Sequence, residues 1–268
     1  MCHYCGHRRE VPKACPECHE GVLVQMGMGT ERIDEDVRRL YPQATVARMD
    51  GDTMSKRGAH DELHRRIRAG EIDILVGTQL IAKGHDFPDV TLVGVVNADT
   101  ALHFPDFRAR ERTFQLMTQV AGRTGRSEKG GRVVIQTMSP DEPSIRFAAT
   151  HDYIGFARAE LADRKTRGYP PYARLVRIVI EGPDEKKVGE RGRMIREALT
   201  PIDEEPTAQV LGPVAAPIAR IKGKYRYHLA VKLPTEGDVR PVLELLPERA
   251  SRRGGVSVSI DVDPLNML

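Results

Sequence analysis

Residues 72–87 have the sequence I-D-I-L-V-G-T-Q-L-I-A-K-G-H-D-F, and this stretch decides the class of fold. The apolar, β-branched run over residues 72–76 predicts a buried strand. Gly77 and Thr78 interrupt that run, so we expect the strand to end there in a loop. In open α/β sheets, ligands bind in the crevice beyond the carboxyl ends of the strands, and this loop is therefore a candidate binding site.

The side chains after the predicted strand suit a sugar-phosphate ligand. Thr78 and Gln79 offer a hydroxyl and an amide that can hydrogen-bond a nucleic-acid backbone without reading its bases. Gly84 permits a tight turn, and Asp86 can accept a hydrogen bond from a ribose hydroxyl. Such residues occur in many loops, so residues 77–87, called here the GTQ segment, are informative only together with a second motif.

The second motif is Q-V-A-G-R-T-G-R at residues 119–126, called here the arginine motif. Arg123 and Arg126 are three residues apart at the end of an amphipathic run, which places them on neighbouring positions of one helix face. Two planar, permanently charged guanidinium groups suit a transferring γ-phosphate, whose charge spreads over three oxygens in the transition state. The alternative is a solvated basic helix end, which the helix dipole favours.

Residues 22–138 alternate between predicted strands and helices. Apolar, alternating runs predict strands at 22–26, 45–49, 72–76, 91–96 and 132–137. Amphipathic runs predict helices at 30–40, 56–69 and 109–122. The first is capped by Thr30, and its Ile33, Val37 and Leu40 lie at i, i+4 and i+7. This alternation indicates a parallel sheet covered by helices on both faces, over a lobe that we assign to residues 22–150.

A second domain follows a helical linker at residues 151–172. The linker helix, at 152–167, is stopped by Gly168 and by the prolines at 170 and 171. Beyond it, strands are predicted at 174–181, 209–211, 225–233 and 256–262, with helices at 185–199 and 239–246. This order predicts an α+β domain over residues 173–268, with helices on one face of a mainly antiparallel sheet.

The four cysteines form two C-x-x-C pairs, Cys2 with Cys5 and Cys15 with Cys18, separated by nine residues. Each pair can present two thiolates to a tetrahedral zinc ion, and the spacing permits one closed site made of all four. Disulfides are the alternative. The chain shows no signal peptide, which favours metal binding in a reducing compartment.

A basic segment in the second domain is a candidate nucleic-acid contact. Residues 220–227 contain four cations with two interleaved tyrosines, and we single out Lys222, Lys224, Tyr225, Arg226 and Tyr227. Cations can contact phosphates while aromatic rings stack on unpaired bases. The alternative is an ordinary basic hairpin with its tyrosines in the core. The net charge of +3 is too small to decide, and no run approaches the ~20 apolar residues that a membrane span needs.

Long motifs resemble the PriA family of bacterial replication-restart helicases, which are superfamily 2 DNA helicases. The resemblance rests on G-T-Q-L-I-A-K-G-H-D-F-P at 77–88, L-H-F-P-D-F-R-A-R-E-R-T-F-Q-L at 102–116 and the arginine motif. It continues into R-M-D at 48–50, G-Y-P-P-Y at 168–172 and D-V-D-P at 261–264, and so covers essentially the whole chain. Thr124 stands where the family usually has alanine.

The resemblance implies a RecA-like second helicase lobe, preceded at residues 1–21 by part of a zinc-knuckle module and followed by a smaller α+β C-terminal domain. It implies a 3′ to 5′ DNA helicase that binds ATP between two lobes, with Arg123 and Arg126 completing the γ-phosphate site and Gly84, Asp86 and Gln119 near the nucleotide. Its zinc module resembles an eight-cysteine unit holding two zinc ions, so the four cysteines here could also be halves of two sites. Implied partners are single-stranded and forked DNA, single-stranded-DNA-binding protein and other primosome proteins, in the cytoplasm.

The sequence contains neither a G-x-x-x-x-G-K-[ST] phosphate loop nor a D-E-x-[HD] motif. These motifs cradle the β- and γ-phosphates and hold Mg²⁺, and the family carries them in its first lobe, expected before Met1. We therefore expect ATP and Mg²⁺ to bind only together with that lobe, and expect the chain alone to be inactive. The alternative is a truncated, non-enzymatic module that binds forked DNA or partner proteins.

Overall fold

The computed structural model describes residues 29–50, 53, 58–78, 89–122, 130–246 and 255–267. These residues fall into two compact units. The C-terminal unit contains Thr100–Arg112 together with the described residues from Asp152 onward. The N-terminal unit contains the described residues up to Asp99 together with Thr113–His151. The predicted strand at 22–26 and the four cysteines lie outside the described residues.

Most predicted elements are present with ends within a few residues of those expected. The described helices are α1 (Thr30–Leu40), α2 (Ala59–Arg68), α3 (Asp99–Leu102), α4 (Ala109–Ala121), α5 (Pro143–Ala149), α6 (Tyr153–Arg167), α7 (Glu185–Ala198), α8 (Thr200–Asp203) and α9 (Arg240–Glu244). The described strands are β1 (Val46–Met49), β2 (Ile74–Gly77), β3 (Leu92–Val95), β4 (Arg132–Ile135), β5 (Arg174–Gly182), β6 (Gln209–Ile221), β7 (Lys224–Leu233) and β8 (Ser257–Val262).

Strands of the N-terminal unit pair in parallel, as the alternation of strands and helices predicted. Strand β1 pairs with β2, so that Met49 lies opposite Gly77, and β3 pairs with β4, so that Val95 lies opposite Ile135. Met49 is fully buried in a small core with Leu63 of α2. Within the described ranges the strands form two separate pairs, whereas a single sheet was expected.

The predicted capping of α1 by Thr30 is wrong. Gly29 is the N-cap residue and provides no side-chain hydrogen bond. Thr30 is instead the first helical residue, and its hydroxyl donates to Asp50 Oδ2 at 2.9 Å. A hydrogen bond to an ionised carboxylate is stronger than one to a neutral group, which explains why the hydroxyl turns away from the helix end. Leu40 is 67% exposed, so the expected apolar face does not extend to the last turn.

The C-terminal unit is built on a four-stranded antiparallel sheet with the order β6-β7-β5-β8. One face of the central strand β5 carries Val176, Ile178 and Ile180, all fully buried. They pack in one core with residues of α7, α8 and α9. The helix α6 that leads to this sheet ends at Gly168, as predicted, and Asp152 is its N-cap residue. The antiparallel sheet and its packed helices follow the order of strands and helices that the sequence predicted for this part of the chain.

Strand β6 is much longer than predicted, with 13 residues where only 209–211 were expected. The sequence after Leu211 contains Gly212, Pro213 and Pro217, which are residue types that weaken or interrupt strands. Proline is tolerated on edge strands, where its missing N–H is not needed by a neighbour, and β6 lies at the sheet edge. The register with β7 shifts at each proline, between Leu211 and Val214 and between Ala215 and Arg220.

Candidate functional site

The carboxyl ends of β1 and β2 lie at one edge of the N-terminal unit, because the two strands are parallel and Met49 pairs with Gly77. Thr78 follows β2 directly and is exposed. Asp50 follows β1 at the same edge. Gln79, Gly84 and Asp86 lie outside the described residues, so the structure describes only the start of the GTQ segment.

Asp50 is a buried carboxylate that the sequence reasoning did not select as a site residue. Its Oδ2 accepts from the Thr30 hydroxyl and from Arg48 Nε, both at 2.9 Å. Its Oδ1 accepts from the backbone N–H of Thr53 at 2.9 Å. The Thr53 amide is the main cause that lowers the pKa of Asp50, with Thr30 and Arg48 contributing in the same direction. The signal available in the sequence was an acidic residue directly after an apolar strand.

The second candidate edge lies at the ends of β3 and β4. Asp99 Oδ1 accepts from the Thr137 hydroxyl at 3.0 Å, and Asp99 Oδ2 accepts from the Met138 N–H at 2.9 Å. Desolvation raises the pKa of Asp99, but the Met138 and Thr137 hydrogen bonds outweigh it and lower the pKa overall. This carboxylate thus ties the segment after β3 to the segment after β4.

The arginine motif begins within a regular helix. Gln119 lies in the last turn of α4 and is partly exposed. The Gly122 N–H donates to Thr118 O at 3.0 Å and continues the helical hydrogen bonding past Ala121. Arg123 and Arg126 lie outside the described residues. The prediction that they project from neighbouring positions of one face therefore stays a prediction.

The basic segment at 220–227 forms the tip of the β6–β7 hairpin. Lys222 and Gly223 form its two-residue turn, and both have positive φ, of 47° and 79°. Two-residue turns of this kind match the twist of antiparallel strands. Lys222 and Arg220 are exposed at the tip, and the Arg220 guanidinium lies 4.9 Å from the centre of the Tyr225 ring.

Other members of the basic segment have partners within the fold. Lys224 Nζ donates to Glu181 Oε1 at 3.1 Å. The Arg226 side chain is only 12% exposed and donates to Ile218 O at 3.4 Å. The Tyr227 hydroxyl donates to Glu185 Oε1 at 3.2 Å, and its ring packs against the core of the C-terminal unit. The exposed positive charge of the hairpin is therefore concentrated at its tip.

Neither metal-binding nor membrane-spanning features occur in the described part of the chain. Its His, Cys, Asp and Glu side chains do not form a group of three that could hold a metal ion. The cysteine prediction is untested by this observation, because all four cysteines lie outside the described residues. None of the helices in the described ranges is long and apolar enough to cross a bilayer.

Two family models match different parts of the chain. Residues 21–128 match the helicase conserved C-terminal domain. Residues 165–265 match the primosomal protein N C-terminal domain. The β1–β2 pair, strand β3 and the GTQ and arginine motifs fall in the first match, β4 follows it, and the antiparallel sheet falls in the second. This combination defines the class: a helicase conserved C-terminal domain followed by a primosomal protein N C-terminal domain.

Curated relatives are similar along the whole chain. The replication restart protein PriA of Bacillus subtilis (strain 168) is 45% identical over 270 residues, which cover 100% of this chain and 33% of the relative. PriA of Synechocystis is 41% identical over 99% of this chain and 32% of the relative. PriA of Treponema pallidum is 41% identical over 100% of this chain and 40% of the relative.

This chain belongs to the PriA family of replication restart proteins and corresponds to its C-terminal portion. It spans about a third of the length of the first two curated relatives and two fifths of the third.

Proposed function

We propose that this chain is the C-terminal part of an ATP-dependent 3′ to 5′ DNA helicase that acts at stalled forks in replication restart and primosome assembly. The observation that carries the proposal is the position of two motifs in the fold. The GTQ segment starts at the carboxyl end of β2, and the arginine motif starts in the last turn of α4. Loops at the carboxyl ends of strands are where α/β proteins bind ligands. The end of a helix can present arginine side chains to such a ligand.

In this proposal, ATP binds between the lobe of residues 22–150 and a first lobe that supplies the phosphate loop and Mg²⁺ ligands. Arg123 and Arg126 donate to the γ-phosphate oxygens and stabilise the charge that develops on them during transfer. Gln119, Gly84 and Asp86 contact the nucleotide. Closure of the lobes on ATP and opening after hydrolysis move the enzyme along one DNA strand.

DNA contact involves two regions in this proposal. Thr78 and Gln79 hydrogen-bond the backbone of the single strand within the motor. The tip of the β6–β7 hairpin contacts phosphates of forked DNA, and its support is the exposed charge of Arg220 and Lys222. Both contacts are independent of base sequence, as a helicase that acts at many forks requires.

Zinc, partner proteins and location complete the proposal. Cys2, Cys5, Cys15 and Cys18 hold zinc, either in one closed site or as halves of two sites, because C-x-x-C pairs present thiolates at tetrahedral spacing. Single-stranded-DNA-binding protein and other primosome proteins are the proposed protein partners, in the cytoplasm. A second candidate function is a non-enzymatic module for forked DNA or partner proteins, which the missing phosphate loop favours for the chain by itself.

The ATPase reaction tests the proposal. Purified chain should hydrolyse no ATP above background, with or without DNA, because it lacks the phosphate loop. In a complete helicase that contains this chain, Arg126→Ala should lower kcat by roughly 10³-fold or more and change the ATP affinity much less. Arg126→Lys should rescue poorly, because a point charge cannot replace the planar fork.

The matched control is Arg132→Ala, which removes an exposed arginine a few residues beyond the arginine motif and should leave kcat unchanged. Near-normal turnover of Arg126→Ala would contradict the arginine role. If the chain alone hydrolyses ATP, and an Arg123→Ala/Arg126→Ala variant does so equally well, the residues that hydrolyse ATP lie outside the arginine motif. A complete protein that binds forked DNA but never hydrolyses ATP would favour the non-enzymatic module.

A further inference from the structure

The four-stranded sheet of the C-terminal unit has two edges, formed by β6 and β8, which differ in what they offer to a further strand. Strand β6 contains Pro213 and Pro217, and its register with β7 shifts twice. Proline lacks the N–H that a neighbouring strand needs, and natural edge strands use proline and bulges to prevent unwanted pairing. The β6 edge is therefore closed to a further strand around its prolines.

Strand β8 lacks these blocking features. Its sequence, S-V-S-I-D-V over Ser257–Val262, contains no proline, lysine or arginine. It pairs with β5 over six consecutive residue pairs without a shift in register, so the strand is regular. Among the residues that the structure describes, no strand pairs with its other side. A regular, unblocked edge is the kind of site at which proteins add a strand from another chain.

The ladder between β5 and β8 shows which backbone groups of β8 point away from β5. The Asp263 N–H donates to Leu175 O at 2.8 Å, which makes these two residues a hydrogen-bonded pair. Hydrogen-bonded and non-hydrogen-bonded pairs alternate along an antiparallel ladder. Residues of β8 at even distances from Asp263 therefore bond to β5. The other three direct their N–H and C=O groups away from β5: they are Val258, Ile260 and Val262, called here the β8 edge.

The side chains of β8 determine which sequence suits this edge. On one face of the sheet, Val258, Ile260 and Val262 are half-buried and pack against the core of the C-terminal unit. On the opposite face, Ser259 and Asp261 are exposed. Side chains that face each other on neighbouring strands lie on the same face of the sheet and interact. A well-matched added strand therefore carries apolar side chains on the first face and polar ones on the second, with a cation opposite Asp261.

The inner neighbour β5 already has this pattern. Its Ile178 lies opposite Ile260, and its Arg177 lies opposite Asp261. Opposite charges in directly facing positions stabilise strand pairing. A second copy of this chain matches the edge less well. Two antiparallel copies of β8 that overlap along most of their length would place Asp261 opposite a serine of the other copy and not opposite a cation.

We propose that the β8 edge binds an extended segment of a partner protein as a fifth strand, with apolar side chains on the core face and a lysine or arginine opposite Asp261. Backbone hydrogen bonds along the β8 edge provide the affinity, and the side chains provide the selectivity. The added apolar side chains extend the core beside Ile260 and remove apolar surface from water. The inference goes beyond the proposed function, because it involves neither nucleotide nor DNA.

Residue-specific hydrogen exchange by NMR tests the strand addition in the full chain. The probe is a synthetic peptide with the sequence of β5, R-L-V-R-I-V-I-E-G, because this sequence already pairs with β8. In the free chain, the amides of Val258, Ile260 and Val262 should exchange faster than that of Ser259, whose N–H bonds to β5. Saturating peptide should slow exchange of the three edge amides on the order of tenfold or more and leave that of Ser259 unchanged.

Val258→Pro blocks the edge without removing a hydrogen bond of the sheet, because the Val258 N–H points away from β5. It should lower the affinity for the labelled peptide, measured by fluorescence anisotropy, by about tenfold.

If Val258→Pro does not fold, Asp261→Lys decides. It should weaken binding of the peptide about two- to fivefold, and a peptide with glutamate in place of its second arginine should bind this variant better than the original peptide does. The matched control is Glu190→Lys, which changes the net charge equally at an exposed position of α7 and should leave the affinity as in the wild type.

Edge amides whose exchange does not respond to saturating peptide would overturn the proposal. Faster exchange of the β5 amides would overturn it too, because the peptide would then displace β5 instead of adding to the edge. If the chain alone sediments as a dimer and Val258→Pro abolishes that dimer, the β8 edge pairs with a second copy and not with a partner protein. Equal weakening by Asp261→Lys and Glu190→Lys would contradict the cation opposite Asp261, since net charge would then govern binding.

Discussion

Asp50 shows how one residue can organise the edge of a sheet. It lies after β1, is 6% exposed, and accepts hydrogen bonds from Thr30, Arg48 and Thr53. Burial of a carboxylate is unfavourable unless donors surround it. Here the three donors come from the start of α1, the end of β1 and the following turn, so Asp50 joins three local segments at the edge from which the GTQ segment also emerges.

We expect Asp50→Asn to destabilise the N-terminal unit by about 1–3 kcal/mol, the cost of unmatched buried polar groups. The pKa of Asp50 is lowered in the folded state. Its contribution is therefore complete above the unfolded pKa of about 4 and is lost as pH falls through the lower folded pKa. The difference between wild type and Asp50→Asn should be largest near neutral pH and should shrink below about pH 4.

Urea unfolding at several pH values measures this difference. Asp36→Asn is the control, because Asp36 forms a surface pair with Arg39 and exposed pairs of this kind contribute about 0–1 kcal/mol. Equal stability of Asp50→Asn and wild type at neutral pH would show that the Asp50 network adds nothing.

The β6–β7 hairpin illustrates what an element adds to a residue pattern. Four cations alternate in sequence, but the strands place them in different surroundings. Arg226 is largely buried and Lys224 pairs with Glu181, whereas Arg220 and Lys222 lie exposed at the turn. A replacement of Arg226 would therefore disturb the sheet as well as any DNA contact.

We expect Arg220→Ala/Lys222→Ala/Lys224→Ala to weaken binding of the chain to forked and single-stranded DNA for all sequences. The slope of log K against log salt should flatten by about one unit or more, because fewer counterions are released. Titration at two salt concentrations measures both effects. Tyr225→Ala should cost about 1–3 kcal/mol of binding if its ring stacks on a base.

The matched control replaces three exposed cations of α7, Lys186, Lys187 and Arg193, by alanine. It changes the net charge by the same amount at another place. Similar losses in the two triple variants would mean that overall charge governs DNA affinity. If the DNA affinity and the slope of log K against log salt of the hairpin variant equal those of the wild type, the segment is an ordinary basic hairpin that does not contact DNA.

At the scale of the whole molecule, the division into units does not follow the order of the chain. The boundary predicted from Gly168 and the prolines after it treated residues 22–150 as one lobe. The structure groups Thr100–Arg112 with the residues beyond Asp152 instead. The contacts of Asp106, Phe107 and Glu111 within that unit are the physical cause.

We therefore expect a fragment of residues 152–268 to fold but to be less stable than the same unit in a chain of residues 100–268. Loss of Thr100–Arg112 leaves the Met267 N–H without Asp106 and Tyr169 without the Phe107 ring. A cost of about 1–3 kcal/mol corresponds to a fall in Tm of roughly 2–8 °C per kcal/mol for chains of about 100–170 residues.

Differential scanning calorimetry of the two fragments checks this expectation. An equal Tm for both fragments would mean that the contacts of Thr100–Arg112 do not stabilise the C-terminal unit measurably. A fall in the longer fragment as well, relative to the full chain, would point to a contribution from residues before Thr100.

The sequence alone determined the features that depend on near neighbours. Asp152 and Gly168 mark the ends of α6 because a cap and a left-handed glycine act within one helical turn. The apolar period predicted the parallel α/β part and the antiparallel α+β part, and the long motifs indicated the family. The roles of Arg123, Arg126 and the cysteines also come from sequence, and they stay predictions because these residues lie outside those that the structure describes.

Only the tertiary structure decided which distant groups meet. The pairing of Asp106 with Met267 spans 161 residues, that of Arg164 with Glu111 spans 53, and that of Thr30 with Asp50 spans 20. No local period or cap encodes such contacts, because they depend on which faces of separate elements pack together. The same reason explains the length of β6, since its prolines are tolerated only where the strand lies at a sheet edge.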